Sequence, residues 1–232
     1  MLDPIFLSLK VSLIASCFVF VVGLATARIT ARNVFAGKDV VESLFMLPMV
    51  LPPTVLGYGL LVLIGKRSAL GGLLMDMGIQ LIFTWWAAVL ASAVVAFPLM
   101  YQSAKAAFTS IDLSLEHAAR TLGSGEFRIF FHITLPLAWP GILAGLILSF
   151  ARALGEFGAT LMVAGNIPGK TQTIPLAIYS AVETGDNEIA QKLVLVITLV
   201  SFLTVFWLNR WLRKKVTVWK KGDETRVAVS HP

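Results

Sequence analysis

Five long stretches of this chain contain no Asp, Glu, Lys or Arg: 11–27, 43–65, 77–104, 133–151 and 193–209. Runs of that length can be hidden from water in a bilayer, where a spanning helix needs roughly 20 mainly apolar residues. A chain of 232 residues that is 57% hydrophobic and only 14% charged, with mean hydropathy +0.82, has too little polar surface to coat a soluble globule. A membrane β-barrel alternates polar and apolar residues, and these runs do not. The expected class is therefore all-α and polytopic. About five spans are expected, at 5–27, 43–65, 83–104, 139–163 and 193–210. The first requires Lys10 to snorkel outward. The fourth requires the helix to continue through Arg152 and Glu156. Ala25-Thr26-Ala27 resembles a signal-peptide cleavage site, but Asp3 precedes it and only one late Lys does, so a retained helix is expected.

Charge placement orients the spans. Arg28, Arg32, Lys38, Lys105, Arg120, Arg128 and seven Lys or Arg of the tail 210–232 fall on one side. Lys10, Lys66, Arg67, Lys170 and Lys192 fall on the other. The positive-inside rule then places the N-terminus outside and the C-terminus in the cytoplasm. This accounts for the net charge of +6 without nucleic acid, because the basic residues flank helices instead of forming one patch. Cys17 is the only cysteine and the three histidines are scattered, so no disulfide framework or metal site is expected.

The connections differ in character. A short basic loop, 28–42, joins the first two spans. Pro48, Pro52 and Pro53 lie in the second. They predict either a packing kink or an unwound stretch facing a pathway, and so are candidate kink or gate residues. Segment 66–82 reads as an outer loop with a short interfacial helix. Trp85 and Trp86 open the third span at aromatic-belt depth. The apolar stretch 174–182 is too short to span.

The inner segment 105–138 carries the most structure. Ser110 to Asp112 offer capping residues. Leu113, Leu115, Ala118, Ala119 and Leu122 form an amphipathic pattern, and Gly123 supplies a stop. Glu116 and Arg120, four apart, support the helix. Ala118 and Ala119 form a small face that another protein could approach closely. A helix lying on lipid headgroups fits the same periodicity. Arg152 and Glu156 share i, i+4 spacing at membrane depth, where a lone charge costs at least about 2.5 kcal/mol. They form either a self-satisfying structural pair or a cationic point on the route of an anion. An Arg suits an oxyanion because its planar fork donates two hydrogen bonds.

At Glu116-His117-Ala118-Ala119-Arg120-Thr121-Leu122-Gly123, followed after nine residues by Ile133-Thr134-Leu135-Pro136, the chain resembles the EAA signature of bacterial ABC import permeases. It departs at one place. Counting back from Gly123, the signature Glu falls at His117 and the acid sits one residue earlier. Leu47 to Pro53, Phe150 to Thr160 and Asn166 to Pro175 resemble the molybdate-importer permeases, from about residue 7 to 209. Sulfate and thiosulfate permeases share related motifs. The resemblance implies a type I importer transmembrane domain over 7–209. Glu116, His117, Ala118, Ala119, Arg120, Gly123, Ile133, Leu135 and Pro136 would form the motif that couples it to an ATPase. It also implies a homodimeric pore, two copies of a cytoplasmic ABC ATPase, and a periplasmic protein delivering molybdate across the bacterial inner membrane. Some relatives carry a C-terminal oxyanion-binding domain, which the tail 210–232 is too short to hold. No G-x-x-x-x-G-K-[ST] loop occurs, so ATP and Mg are expected to be handled by the partner, with no cofactor bound here. A membrane-embedded enzyme would need clustered His, Asp or Glu at membrane depth. A signalling anchor would leave Arg152 unexplained.

Overall fold

The structure, a computed structural model, describes the backbone of residues 2–229, with side chains through Trp207 and at Arg210. The described chain is helical throughout: α1 (Leu2–Arg32), α2 (Lys38–Val50), α3 (Pro53–Ile64), α4 (Ala69–Asp76), α5 (Trp85–Thr109), α6 (Leu113–Thr121), α7 (Glu126–Ile129), α8 (Leu135–Leu154), α9 (Gly158–Ala164), α10 (Ile174–Glu183) and α11 (Asn187–Val229). A π-helical turn, Phe130–Thr134, joins α7 to α8. The basic tail beyond Arg210 lies outside the residues whose side chains are described.

Four helical stretches are long and apolar enough to cross a membrane: Leu2–Arg32, Trp85–Thr109, Glu126–Leu154 and Asn187–Trp207. A fifth is broken, α2 and α3 meeting at 117°. The expected span 43–65 is interrupted here, at two of the three prolines expected to kink or unwind it. Pro52 and Pro53 have no N–H to donate, and a proline disfavours helical backbone in the residue before it. Leu51 accordingly turns extended, at φ −69° and ψ 141°. Pro48, also expected to kink the chain, stays within α2. The expected first loop, 28–42, is shorter, because α1 runs on to Arg32 and α2 begins at Lys38.

The fourth span is corrected. It starts at Glu126 and stops at Leu154, where Gly155 ends α8. It does not run from 139 to 163. The π-helical turn precedes Pro136, whose ring needs room at the carbonyl four residues back.

The centre of the bundle is α5. Its Ala87, Ala88, Ala91, Ala96 and Ala104 are fully buried, as are Ala15 and Ala27 of α1. Small side chains let helix backbones approach closely, which is the main source of attraction between helices in lipid. The contacts give direction. Lys10 Nζ sits 3.7 Å from the Trp85 ring centre, and the Tyr101 hydroxyl donates to Thr30 Oγ1 at 2.9 Å. So α1 and α5 run parallel. The Ser149 hydroxyl donates to the Ala96 carbonyl at 3.3 Å, and Gly141 packs against Ala107, so α8 runs antiparallel to both. The ends of α1, α5 and the start of α8 therefore meet at one end of the bundle, and α6 lies there. At the opposite end the Ile174 N–H donates to Ser8 Oγ at 2.7 Å, fastening α10 to α1.

Candidate functional site

Helix α6 is bounded as its end residues dictate. The Asp112 carboxylate accepts the Ser114 N–H at 2.9 Å, and that bond holds its pKa below the ordinary carboxylate range. At the other end Gly123 takes φ +80°, a left-handed conformation glycine adopts freely. The Ser124 N–H then reaches the Ala119 carbonyl and the Gly123 N–H that of Arg120. This paired closure is a Schellman motif.

The apolar positions of α6 are mostly left uncovered by the chain itself. Glu116 and Ala119 point inward, while Leu113, Leu115, Ala118 and Leu122 are exposed. Ala118 and Ala119 thus do not share an outward face. Glu116 is 1% exposed and accepts four donors. Its Oε1 takes the Arg32 guanidinium at 2.8 Å, the Thr134 hydroxyl at 2.8 Å and the Arg28 guanidinium at 3.3 Å. Its Oε2 takes Arg120 at 3.3 Å. A buried carboxylate is tolerable only when charge and hydrogen bonds replace water. Burial raises its pKa, but the Thr134 hydrogen bond and the charges of Arg28 and Arg32 outweigh this and hold the carboxyl below the ordinary range. Arg120 also pairs with Glu126, whose pKa that hydrogen bond lowers.

The one-residue offset from the EAA signature therefore has a structural counterpart. The acid at 116 is consumed internally, and His117, at the signature position, is exposed. Ile133 and Leu135 are half-buried and Pro136 is exposed, all at the foot of α8. Arg28, Arg32 and Thr134 are partners that the sequence reading missed. Arg28 and Arg32 had counted only as topology charges. Their i, i+4 spacing at the end of an apolar run is the one signal that they share a helical face.

At the far end of α8, Arg152 and Glu156 meet at 2.9 Å, with Arg152 34% and Glu156 1% exposed. They do not share a helix as expected, because Glu156 lies beyond the Gly155 stop. Its Oε2 pairs with Arg152 and its Oε1 accepts the Ala159 N–H at 2.8 Å, capping α9. The break between α8 and α9 adjoins the break between α2 and α3. A Cβ on Gly158 would lie 2.9 Å from Pro53 Cβ, and one on Gly57 2.9 Å from Ala159 Cα. The two interrupted helices touch only because both positions are glycine. Pro52 and Pro53 are exposed at this junction and Pro48 is half-buried below it.

Comparison with known proteins agrees with this architecture. Residues 20–218 match the family model described as binding-protein-dependent transport system inner membrane component. The molybdenum transport system permease protein ModB of Escherichia coli K12 is 47% identical over 218 residues, covering 92% of this chain and 95% of that protein. ModB of Haemophilus influenzae is 44% identical, covering 93% and 96%. Among solved structures, the MetNI methionine ABC transporter in an inward-facing conformation superposes with TM-score 0.70. It is 17% identical and covers 92% of this chain and 95% of that one, a likeness of fold. The chain belongs to the family of inner-membrane components of binding-protein-dependent transport systems.

Proposed function

We propose that this chain is the membrane-spanning permease subunit of an ATP-driven importer that carries molybdate across the inner membrane. The observation that carries the reading is α6. It sits at one end of a five-pass bundle, anchored on one side by Glu116, with Leu115, Ala118, Leu122 and the neighbouring Phe127 exposed on the other. The chain's own packing leaves that apolar face uncovered, and in this family the matching segment docks on an ATPase. The relatives named for molybdenum transport, at 44–47% identity over nearly their whole length, supply the substrate.

The chain acts as a transport subunit and not an enzyme. ATP and Mg are bound by a cytoplasmic ATPase dimer, and a periplasmic molybdate-binding protein delivers the oxyanion. A second copy of this chain completes the pore. ATP-driven closure of the ATPases draws the two α6 helices together and opens the pathway outward. Arg152, held by Glu156 yet one-third exposed, offers its remaining N–H groups to a tetrahedral oxyanion. That hold is weak, because a pathway that binds tightly cannot release.

The test is reconstitution. The chain, co-expressed with a cytoplasmic ABC ATPase partner and purified, is placed in vesicles with a molybdate-binding protein and labelled molybdate. ATP-dependent uptake that survives excess sulfate is expected. Uptake abolished by sulfate at comparable concentration overturns the molybdate assignment. Failure of the ATPase to copurify overturns the permease reading.

A further inference from the structure

We propose that Glu116 is the joint that carries movement of α6 along α8 to the Arg152–Glu156 pair; this rests on the permease reading above. The covalent links of α6 are poorly suited to transmit force. It leaves α5 through Ser110 to Asp112 and reaches α7 through Leu122 to Gly125, where Gly123 is left-handed. Such turns bend easily. The Arg120–Glu126 pair also ties α6 to α7 but is exposed, so the buried connection is the Glu116 carboxylate. It binds Arg28 and Arg32 on α1, and Thr134 at the foot of α8, through buried or half-buried donors.

From Thr134 the helix is unbroken to Leu154. At 1.5 Å per residue, Thr134 and Arg152 are about 27 Å apart along one rod. That rod, despite the interior Pro140, is registered against α5 by close contacts at Gly141, Gly145 and Ser149, so in this scheme α8 and α5 move together. It ends at Gly155. Displacement delivered at the foot is thus expressed at the break, where Glu156 both pairs with Arg152 and caps α9. Glu116 and Thr134 are positioning residues in this scheme. They need not touch the transported ion.

Thr134→Val isolates the link, because it removes one hydroxyl and leaves the ion pairs of Glu116 in place. In vesicles holding equal amounts of assembled complex, molybdate carried per ATP hydrolysed is expected to fall by roughly tenfold, the order expected for one hydrogen bond to a buried carboxylate. Thr134→Ser, which keeps the hydroxyl, restores the ratio. A loss confined to stability would lower the yield of complex but not this ratio. A Thr134→Val ratio equal to wild type overturns the joint while leaving the permease reading standing. Absence of wild-type uptake overturns both. A second measurement does not depend on that variant folding. Spin labels at Ser114→Cys and Leu148→Cys, in a Cys17→Ser background, should keep their separation between ATP-free and ATP-bound complexes. A nucleotide-dependent change in that separation overturns the joint.

Discussion

Glu156 has two separable duties, and its Gln and Ala variants should separate them. Gln retains an oxygen for the Ala159 N–H but removes the charge facing Arg152. Ala removes both. Breaking a fully buried ion pair costs about 3–5 kcal/mol, and an exposed one contributes about 0.2–1 kcal/mol. With Arg152 34% exposed and Glu156 1% exposed, the loss falls between, at about 2 kcal/mol. Losing the cap adds about 1 kcal/mol.

For a chain of this length each kcal/mol moves the melting midpoint by about 2–4 °C. Glu156→Gln should therefore melt about 4–8 °C below wild type, and Glu156→Ala a further 2–4 °C lower. The assay is thermal unfolding in detergent, followed by the fluorescence of the six tryptophans. Equal midpoints for the two variants would refute the capping role. A wild-type midpoint in Glu156→Gln would refute the pairing.

Three further outcomes are expected. Arg152→Ala should reduce molybdate uptake while the ATPase still copurifies, and normal uptake would leave the pair a purely structural feature. Ala118→Glu should abolish ATPase copurification without changing the melting midpoint, whereas Ala119→Glu, on the buried side, should lower that midpoint; the reverse pattern would mean the docking face is misplaced. Gly57→Val should cost about 1–3 kcal/mol through overpacking, because its Cβ falls 2.7 Å from Met162 Cβ, and an unchanged midpoint would show that α3 and α9 are free to separate.

The spans were legible because hydropathy is a local property summed over many residues, and no partner is needed to read it. The ends of α6 were legible for the same reason: a cap such as Asp112 and a stop such as Gly123 act within one turn of chain. The buried face of α6 was not. Periodicity marks Leu113, Leu115 and Leu122 as apolar positions of one pattern, and the structure leaves them exposed and turns Glu116 inward. That choice is made by Arg28 and Arg32, more than eighty residues away in sequence. The end of α8 was hidden for a related reason. The run 133–151 and its continuation to Val163 hold no proline beyond Pro140 to mark a break. The break at Gly155 exists because Glu156 turns back to serve Ala159. Gly155 and Gly158 were the available signals, and they became meaningful once Pro53 was found against Gly158.

The proposal that a second copy completes the pore follows from where the one-third-exposed Arg152 lies. Hydrocarbon would penalise a guanidinium left open on a lipid-facing surface by several kcal/mol. On the proposed reading its surroundings border water. The neighbouring broken helix gives the same indication. Interrupted backbone at membrane depth is tolerated where it is buried in protein or lines a wet cavity, and Pro52 and Pro53 are exposed. A groove of about 720 Å³ lies elsewhere, between α10 and α11, and its lining from Ile178 to Phe202 contains no charged side chain. On the proposed reading, a water-filled path past Arg152 would have one wall in this chain, made of the α2–α3 and α8–α9 junctions. The proposed second copy would supply the opposite wall. A symmetric copy would place a second Arg152 across the same path, giving a tetrahedral oxyanion a cation on either side.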